Sequence, residues 1–566
     1  MSLAVSALVS TQNGVSDLNR PCAKFAPSIW GNTFLQYASE SLEQEVGDKM
    51  KHQAQILKEE VKMMFQSSNQ NIMQKLKFID SIQRFGISYH FEKEINQALE
   101  QISNTLIKNN TIINQNDNHY FLALLFRLLR QQGYQISSDV FNKFKNEQGN
   151  FNEILANDIQ GLCSLYEAAH IRTHGDDVLE EACDFTYTQL MSLANQSSPS
   201  LAAQINHCLR KPFNKSVARF ETRYHMAVYE QDSSHNDTLL TFAKVDFNIL
   251  QKMHQKEIGI ITKWWKQSNV MKKVPHARDR LVECYLWILA MSYKPEYSNG
   301  RMFAGKLATV ITLLDDSYDA YGTIEELELL TEAFQRWDSG LVGCLPLSMK
   351  TTFDTIVELS KEIELLTAQS GNSSLVVSHL KHAICNLTKA YMIEAKWCHE
   401  HYIPTYDEYK VNGIVTSVCP LLFISMICPG EFATKDVLDW ISSDPKIIQA
   451  ASIIARVTDD MGTHKFEQQR VHVASSVECC MEHYKISEVE AYKFIRKDVE
   501  NYWKVINEEY HNSNDIPKSV LDCVINYARM AEFSYENRDD KFTNEELVKG
   551  DVSSLLLDPV CFNELQ

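Results

Sequence analysis

Two stretches of this sequence place acidic residues where an ordinary helix surface would not. Asp315 and Asp319 stand one helical turn apart and close the apolar run Val310-Ile311-Thr312-Leu313-Leu314, which is hydrophobic all round and so is expected to be buried. Asp459, Thr463 and Glu467 follow a second apolar run, residues 447–457. Their i, i+4, i+8 spacing sets three oxygen-bearing side chains along about 12 Å of an α-helix, drifting by roughly 40° per step. Ionised carboxylates buried without partners are costly, so these must pair, coordinate a metal or border a cavity. A helix end at the surface would also account for the first cluster. Two carboxylates and a hydroxyl suit Mg2+, which takes hard oxygen ligands and commonly shares itself with a substrate phosphate. The His and Cys spacing of a zinc site is absent.

Spacing by itself is weak evidence. Asp176-Asp177-Glu180 and Glu180-Glu181-Asp184 repeat it inside the charged run GDDVLEEACD, and these are expected to form a solvated helix face. Positive charge accompanies the buried clusters instead. Arg456 precedes Asp459 by three residues, and Arg278-Asp279-Arg280 begins 37 residues before Asp315. Cations between anions, with guanidinium groups catching the remaining oxygens, are what a magnesium-diphosphate complex requires.

The elements that must position these residues read as helices. The 566 residues include only 19 Gly and 13 Pro, too few for the tight turns of an all-β chain. FLALLFRLLR (121–130) is too apolar for a surface helix, and DVFNKF (139–144) carries a helical apolar face. Polar seams at 103–118, 67–71, 195–200 and 231–238 separate the helices. The main domain boundary is placed in the last of these, giving segments 1–233 and 234–566. The two acid-ended apolar rods are expected to lie side by side with their tips converging.

A net charge of −18 with no basic run argues against nucleic-acid partners. The 14 Cys form no CxxC pair, as expected of reduced core thiols. The longest apolar stretch, 418–428, is about half a membrane span and contains Pro420, so no transmembrane helix is expected. The first 20 residues have neither a charged n-region nor an apolar h-region, which gives the expectation of a soluble, cytoplasmic protein.

Taken together these residues resemble the plant terpene synthases, most closely the sesquiterpene synthases. The DDxxD motif corresponds to Asp315, Asp316 and Asp319, the second metal motif to DDMGTHKFE with Asp459, Thr463 and Glu467, and RxR to Arg278 and Arg280. Trp287 in ECYLWILA matches an aromatic of the family's product pocket. Blocks such as ISYHFEKEI, LYEAAHIRTHGDD and EAKW follow in the family's order, and RPCAKFAPSIW (20–30) resembles its N-terminal strand over the active site.

The resemblance implies an all-α fold of two domains, an N-terminal α-barrel-like one and a C-terminal class I one holding the chemistry. It implies metal binding by Asp315, Asp316, Asp319, Asp459, Thr463 and Glu467, with Asp316 the most indirect. Mg2+ is the implied ion, three per active site, with Mn2+ as a substitute. Arg278, Arg280, Arg456 and Asp540 would bind diphosphate or close the site, with Lys465 as a further candidate. Trp287, Tyr535 and Phe542, with Tyr318 behind them, would face a carbocation. The N-terminal half lacks DxDD, so protonation-initiated cyclisation is not expected. Only 19 residues precede Arg20, which favours cytosolic farnesyl diphosphate over plastid geranyl diphosphate. The expected function is thus Mg2+-dependent ionisation and cyclisation of farnesyl diphosphate by a monomer. A monoterpene synthase using geranyl diphosphate, a chain-elongating prenyltransferase and a non-catalytic helical scaffold are the alternatives. Two positions depart from the family: Asp540-Lys541-Phe542-Thr543 stands where relatives commonly read DGYT, and Cys419 stands where they often carry an aromatic.

Overall fold

The computed structural model describes residues 25–39, 44–66, 71–108, 118–469, 472–513 and 515–562. Among them there is no strand, only helices and one isolated bridge between Lys145 and Phe151. Side chains close the helix starts. Thr323 and Glu326, Ser475 and Glu478, and Ser487 and Glu490 form reciprocal capping boxes, each supplying partners for backbone N–H groups that the first turn leaves unpaired.

The Leu281–Met291 helix is buried along its whole length. It packs between the first acidic helix (Ser298–Ala320) and the Lys518–Ser534 helix. The second acidic helix (Lys446–Glu467) packs on Glu488–Asn512, Lys518–Ser534 and Tyr406–Thr416. The two acidic helices do not form a close-packed pair among the described residues, which corrects the side-by-side picture. The Ser373–Glu400, Tyr406–Thr416 and Cys419–Ile427 helices pack against one or both of them, and the space left between becomes a cavity. The run from Tyr406 to Ile427 has the length and apolarity of a membrane span. It is broken at Val418, and nearly all of Cys419–Ile427 is buried in the protein core, which accounts for its composition.

In the first half, FLALLFRLLR lies in the His119–Gln131 helix, buried from Phe121 to Arg130 with its two arginines included. Residues 103–108, read as part of a polar seam, instead complete the Glu92–Lys108 helix; 109–117 and 67–70 lie outside the described residues, as do Arg20 and Pro21. The 138–144 segment is a 3-10 helix, with Phe141 and Phe144 inward. The expected solvated acidic face fails at Asp176, which is buried and chelates Arg130, with Nη2 3.1 Å from Oδ1. That ion pair holds its carboxyl well below the usual range against the burial that would raise it. The polar seam at 231–236 separates the Ala218–Glu230 helix from Asp237–Ser268. The latter is a 32-residue helix that packs on both Gln44–Gln66 and the first acidic helix.

Candidate active site

Asp315, Asp319, Asp459, Thr463 and Glu467 all line one cavity of about 570 Å³, within the usual range for small-molecule sites. Each acidic motif divides its labour in the same way. Its second aspartate is buried and anchors an arginine; its first lines the cavity, as Asp460 also does. Asp316 is fully buried. It accepts the Arg278 backbone N–H at 2.7 Å and pairs with the Arg278 guanidinium at 2.9 Å. Arg278 Nη2 then reaches Asp315 Oδ2 at 2.8 Å. In the second motif Asp460, 1% exposed, accepts from Arg456 Nε and Tyr409 Oη, both at 2.9 Å, and from the Ser476 N–H at 3.1 Å. Arg456 also pairs with Asp459. A Cβ at Gly413 would come 2.9 Å from Arg456 Cγ, so only glycine lets that side chain pass between the helices.

Asp319 is engaged differently. His472 Nε2 lies 2.8 Å from its Oδ1, and His472 Nδ1 lies 3.7 Å from Glu467 Oε2. The two acidic motifs are thus bridged by an imidazole. Glu394, on the Ser373–Glu400 helix, enters the same cavity and accepts from Thr416 Oγ1 at 2.8 Å and Asn412 Nδ2 at 3.2 Å.

Burial dominates the electrostatics. It raises the Asp459 and Glu394 carboxyls to about 7 each and Asp316 to about 6, against the opposing pull of Arg456 or Arg278. Asp315 and Glu467 are also pushed up by burial. Hard oxygen donors suit Mg2+, and a divalent cation bound beside them would favour their ionised form. Among the described residues no three His, Cys, Asp or Glu side chains converge into a ready-made cage. Asp315 and Asp459 are each paired with an arginine, and Asp319 with the His472 imidazole.

A second, apolar cavity of about 160 Å³ opens from the first, and Arg278, Asp315, Tyr391, Arg456 and Asp459 line both. Its walls include Trp287, whose ring centroid is 5.6 Å from Tyr527, 6.2 Å from Tyr535 and 6.3 Å from Phe542. Tyr318 lines the acidic cavity instead, with its hydroxyl 2.7 Å from Thr331 Oγ1.

Three expected site residues have other placements. Asp316 does not line the cavity and serves Arg278, as above. Arg280 is 1% exposed and lines neither cavity. It clasps Glu545 at 2.9 Å and the carbonyls of Thr543 and Ala26 at 2.9 and 3.2 Å. Lys465 is exposed and outside both cavities. Asp540 does line the acidic cavity, but its Oδ1 caps its own loop, accepting from the N–H groups of Phe542 and Thr543 at 3.0 and 2.8 Å.

The described part of the N-terminal cap, residues 25–30, has no ladder partner and is not a strand. It nevertheless lies at the cavity. Phe25 stacks 5.1 Å from the Arg278 guanidinium, the Ile29 N–H donates to Glu545 at 2.6 Å and the Trp30 indole donates to Glu283 at 2.6 Å. Sequence reasoning did not single out Phe25, Tyr391, Glu394, His472 or Tyr527 as site residues. Glu394 opens the EAKW block and Phe25 lies within RPCAKFAPSIW, but neither residue carries a role in the sequence alone.

Comparison with known proteins agrees with this geometry. Residues 29–209 match "Terpene synthase, N-terminal domain" and residues 266–505 match "Terpene synthase family, metal binding domain". The chain is 45% identical over 542 residues to the probable terpene synthase 2 of Ricinus communis, covering 95% of this chain and 97% of that one. It is 43% identical over 554 residues to the (-)-germacrene D synthase of Vitis vinifera, covering 98% of each. Among solved structures, the isoprene synthase of grey poplar leaves, in complex with three Mg2+ ions and dimethylallyl-S-thiolodiphosphate, superposes with a TM-score of 0.85 at 31% identity. That match covers 90% of this chain and 97% of that one. The chain therefore belongs to the terpene synthase family, whose members carry out lyase-type reactions on prenyl diphosphates.

Proposed function

We propose that this protein is a sesquiterpene synthase, which ionises farnesyl diphosphate and cyclises the resulting cation. The observation that carries the reading is the shared wall of the two cavities. Arg278, Asp315, Arg456 and Asp459 border both the acidic chamber and the aromatic one, so a diphosphate held in the first would leave its prenyl chain in the second. The likeness to a germacrene D synthase along nearly the whole chain supports the farnesyl substrate.

Asp315, Asp319, Asp459, Thr463 and Glu467 would hold Mg2+. Bound there, the metal would supply Lewis-acid stabilisation of the departing diphosphate. Arg278 and Arg456 present guanidinium N–H donors at the mouth of the apolar cavity, where the leaving group's charge develops, and they are fixed in advance by Asp316 and Asp460. Trp287, Tyr535 and Phe542 offer π faces, which attract positive charge without attacking it. The N-terminal segment and the 540–547 loop, joined through Arg280 and Glu545, keep water from the chamber. Our reading also includes a monomer in the cytoplasm, Mn2+ as a substitute ion and a division of the chain near residue 233.

Incubating the purified protein with Mg2+ and, separately, farnesyl, geranyl and nerolidyl diphosphates, followed by gas chromatography of the products, tests this. A cyclised C15 hydrocarbon or alcohol formed from farnesyl diphosphate at the highest kcat/KM is expected. Preferred turnover of geranyl diphosphate would replace the reading with a monoterpene synthase.

A further inference from the structure

The Tyr406–Thr416 helix and the apolar Cys419–Ile427 helix are separated by a break at Ser417 and Val418. Val418 has φ 64° and ψ −6°, in the left-handed region that a β-branched residue avoids. Such a conformation persists only when its surroundings fix it. Two of the bonds that fix it are local. The Val418 N–H donates to the Val415 carbonyl at 3.0 Å, and Ser417 Oγ donates to the Ile414 carbonyl at 2.8 Å. A third reaches the break from another helix. Tyr527, on Lys518–Ser534, donates its phenol to the Ser417 carbonyl oxygen at 2.5 Å. Burial raises the Tyr527 hydroxyl well above its ordinary pKa, so the phenol keeps its proton at any working pH. Ser417, Val418, Tyr527 and Trp287 all line the apolar cavity.

We propose that Tyr527 is a positioning residue that determines which product the enzyme makes. Its phenol holds the helix break in place and engages the Ser417 carbonyl oxygen. The partial negative charge on that oxygen would otherwise draw a carbocation toward the kink and away from the aromatic faces of Trp287, Tyr535 and Phe542. This inference rests on the proposed reaction. A merely structural tyrosine would act through packing, which it shares with Trp287 and with the Phe423 ring, 5.7 Å away; of these two only Phe423 lines neither cavity.

The test compares the full chain with Tyr527→Phe, which keeps the ring and loses the bond, and with Phe423→Leu, which cuts the ring contact and keeps the bond. Two readouts are taken: hydrogen exchange at the amides of Val418 and Leu422, and the product profile from farnesyl diphosphate with Mg2+. In Tyr527→Phe, exchange at these amides should quicken by about tenfold. The ratio of the main product to all others should change by about threefold or more, with kcat/KM within about fivefold of wild type. Phe423→Leu should leave the profile unchanged. An unaltered Tyr527→Phe profile with turnover intact would overturn the proposal, and so would an equal shift in Phe423→Leu. Absence of any product from the wild type would sink the proposed reaction instead; the tether would then be judged by exchange alone, and unchanged exchange would refute it.

Discussion

Replacing Asp315 with asparagine keeps the size and hydrogen-bonding shape of the side chain and removes one negative charge from the cavity wall. The wild-type carboxylate lies 2.8 Å from Arg278 Nη2, borders both cavities and is 33% exposed at its side chain. One unit of charge acting on a divalent or guanidinium partner at about 4 Å is worth about 4 kcal/mol at an effective dielectric constant near 20. Partial solvent access trims this to about 3 kcal/mol, which corresponds to a fall in kcat of roughly 10²-fold. The loss belongs to the step in which charge separates, so KM should stay within about threefold of wild type. Fold stability should not fall, because Asp316 continues to anchor Arg278. Steady-state kinetics with farnesyl diphosphate across a Mg2+ titration, alongside the melting curve, measures all three quantities. Glu431→Gln, an exposed acid outside both cavities, is the control. If Asp315→Asn retained a third or more of wild-type kcat at saturating Mg2+, Asp315 would not be a ligand or a charge partner in catalysis.

Three further outcomes follow from the same geometry. Trp287→Phe should redistribute products while lowering kcat by less than about tenfold, since one π face replaces another at the centre of the aromatic cluster; gas chromatography reads this, and an unchanged profile would remove Trp287 from the cation's path. Asp176→Ala should destabilise the fold by about 3–5 kcal/mol, because it leaves Arg130 buried without its partner, with activity per folded molecule unchanged; denaturant melts and active-site titration check it. Glu283 is buried beneath Trp30, and burial with the neighbouring Glu545 charge lifts its carboxyl to about 7 from 4.5. Its folded form holds the proton more tightly than the unfolded chain does, so its contribution is fully present below about pH 4.5 and is lost as pH rises through 7. Thermal melts of Glu283→Gln should match wild type at pH 5 and exceed it at pH 8, and a constant difference across that range would contradict the assignment.

The acidic tips were legible in the sequence because carboxylates ending an all-apolar helix have few tolerable explanations. The arginines nearby followed from the chemistry those tips require, whereas Trp287 came from the family resemblance alone. What was not legible arrives from elsewhere in the chain. Phe25 meets Arg278 from the N-terminal segment, and His472 bridges Asp319 and Glu467 across two motifs. Neither contact leaves a local pattern. Asp176 shows the converse error. Its spacing looks like a solvated face, and only tertiary packing brings Arg130, 46 residues earlier, against it. Arg280 was assigned with Arg278 because they are two residues apart. The chain turns into the Leu281–Met291 helix at Arg280, with φ −122° and ψ 37°, and the two guanidinium groups go to different partners. The kink at Val418 stands two residues before Pro420, but its tether to Tyr527 spans 110 residues and leaves no pattern in either segment.

The central claim is that the two acidic helix ends jointly hold divalent metal against a diphosphate at the mouth of the aromatic chamber. Crystals soaked with Mn2+ and a thiolodiphosphate analogue of farnesyl diphosphate, measured at the manganese absorption edge, test it most directly. Anomalous peaks should stand against Asp315 and Asp319 and against Asp459, Thr463 and Glu467, with the diphosphate on Arg278 and the prenyl chain beside Trp287. Manganese bound away from either aspartate motif, or a prenyl chain outside that chamber, would contradict the account.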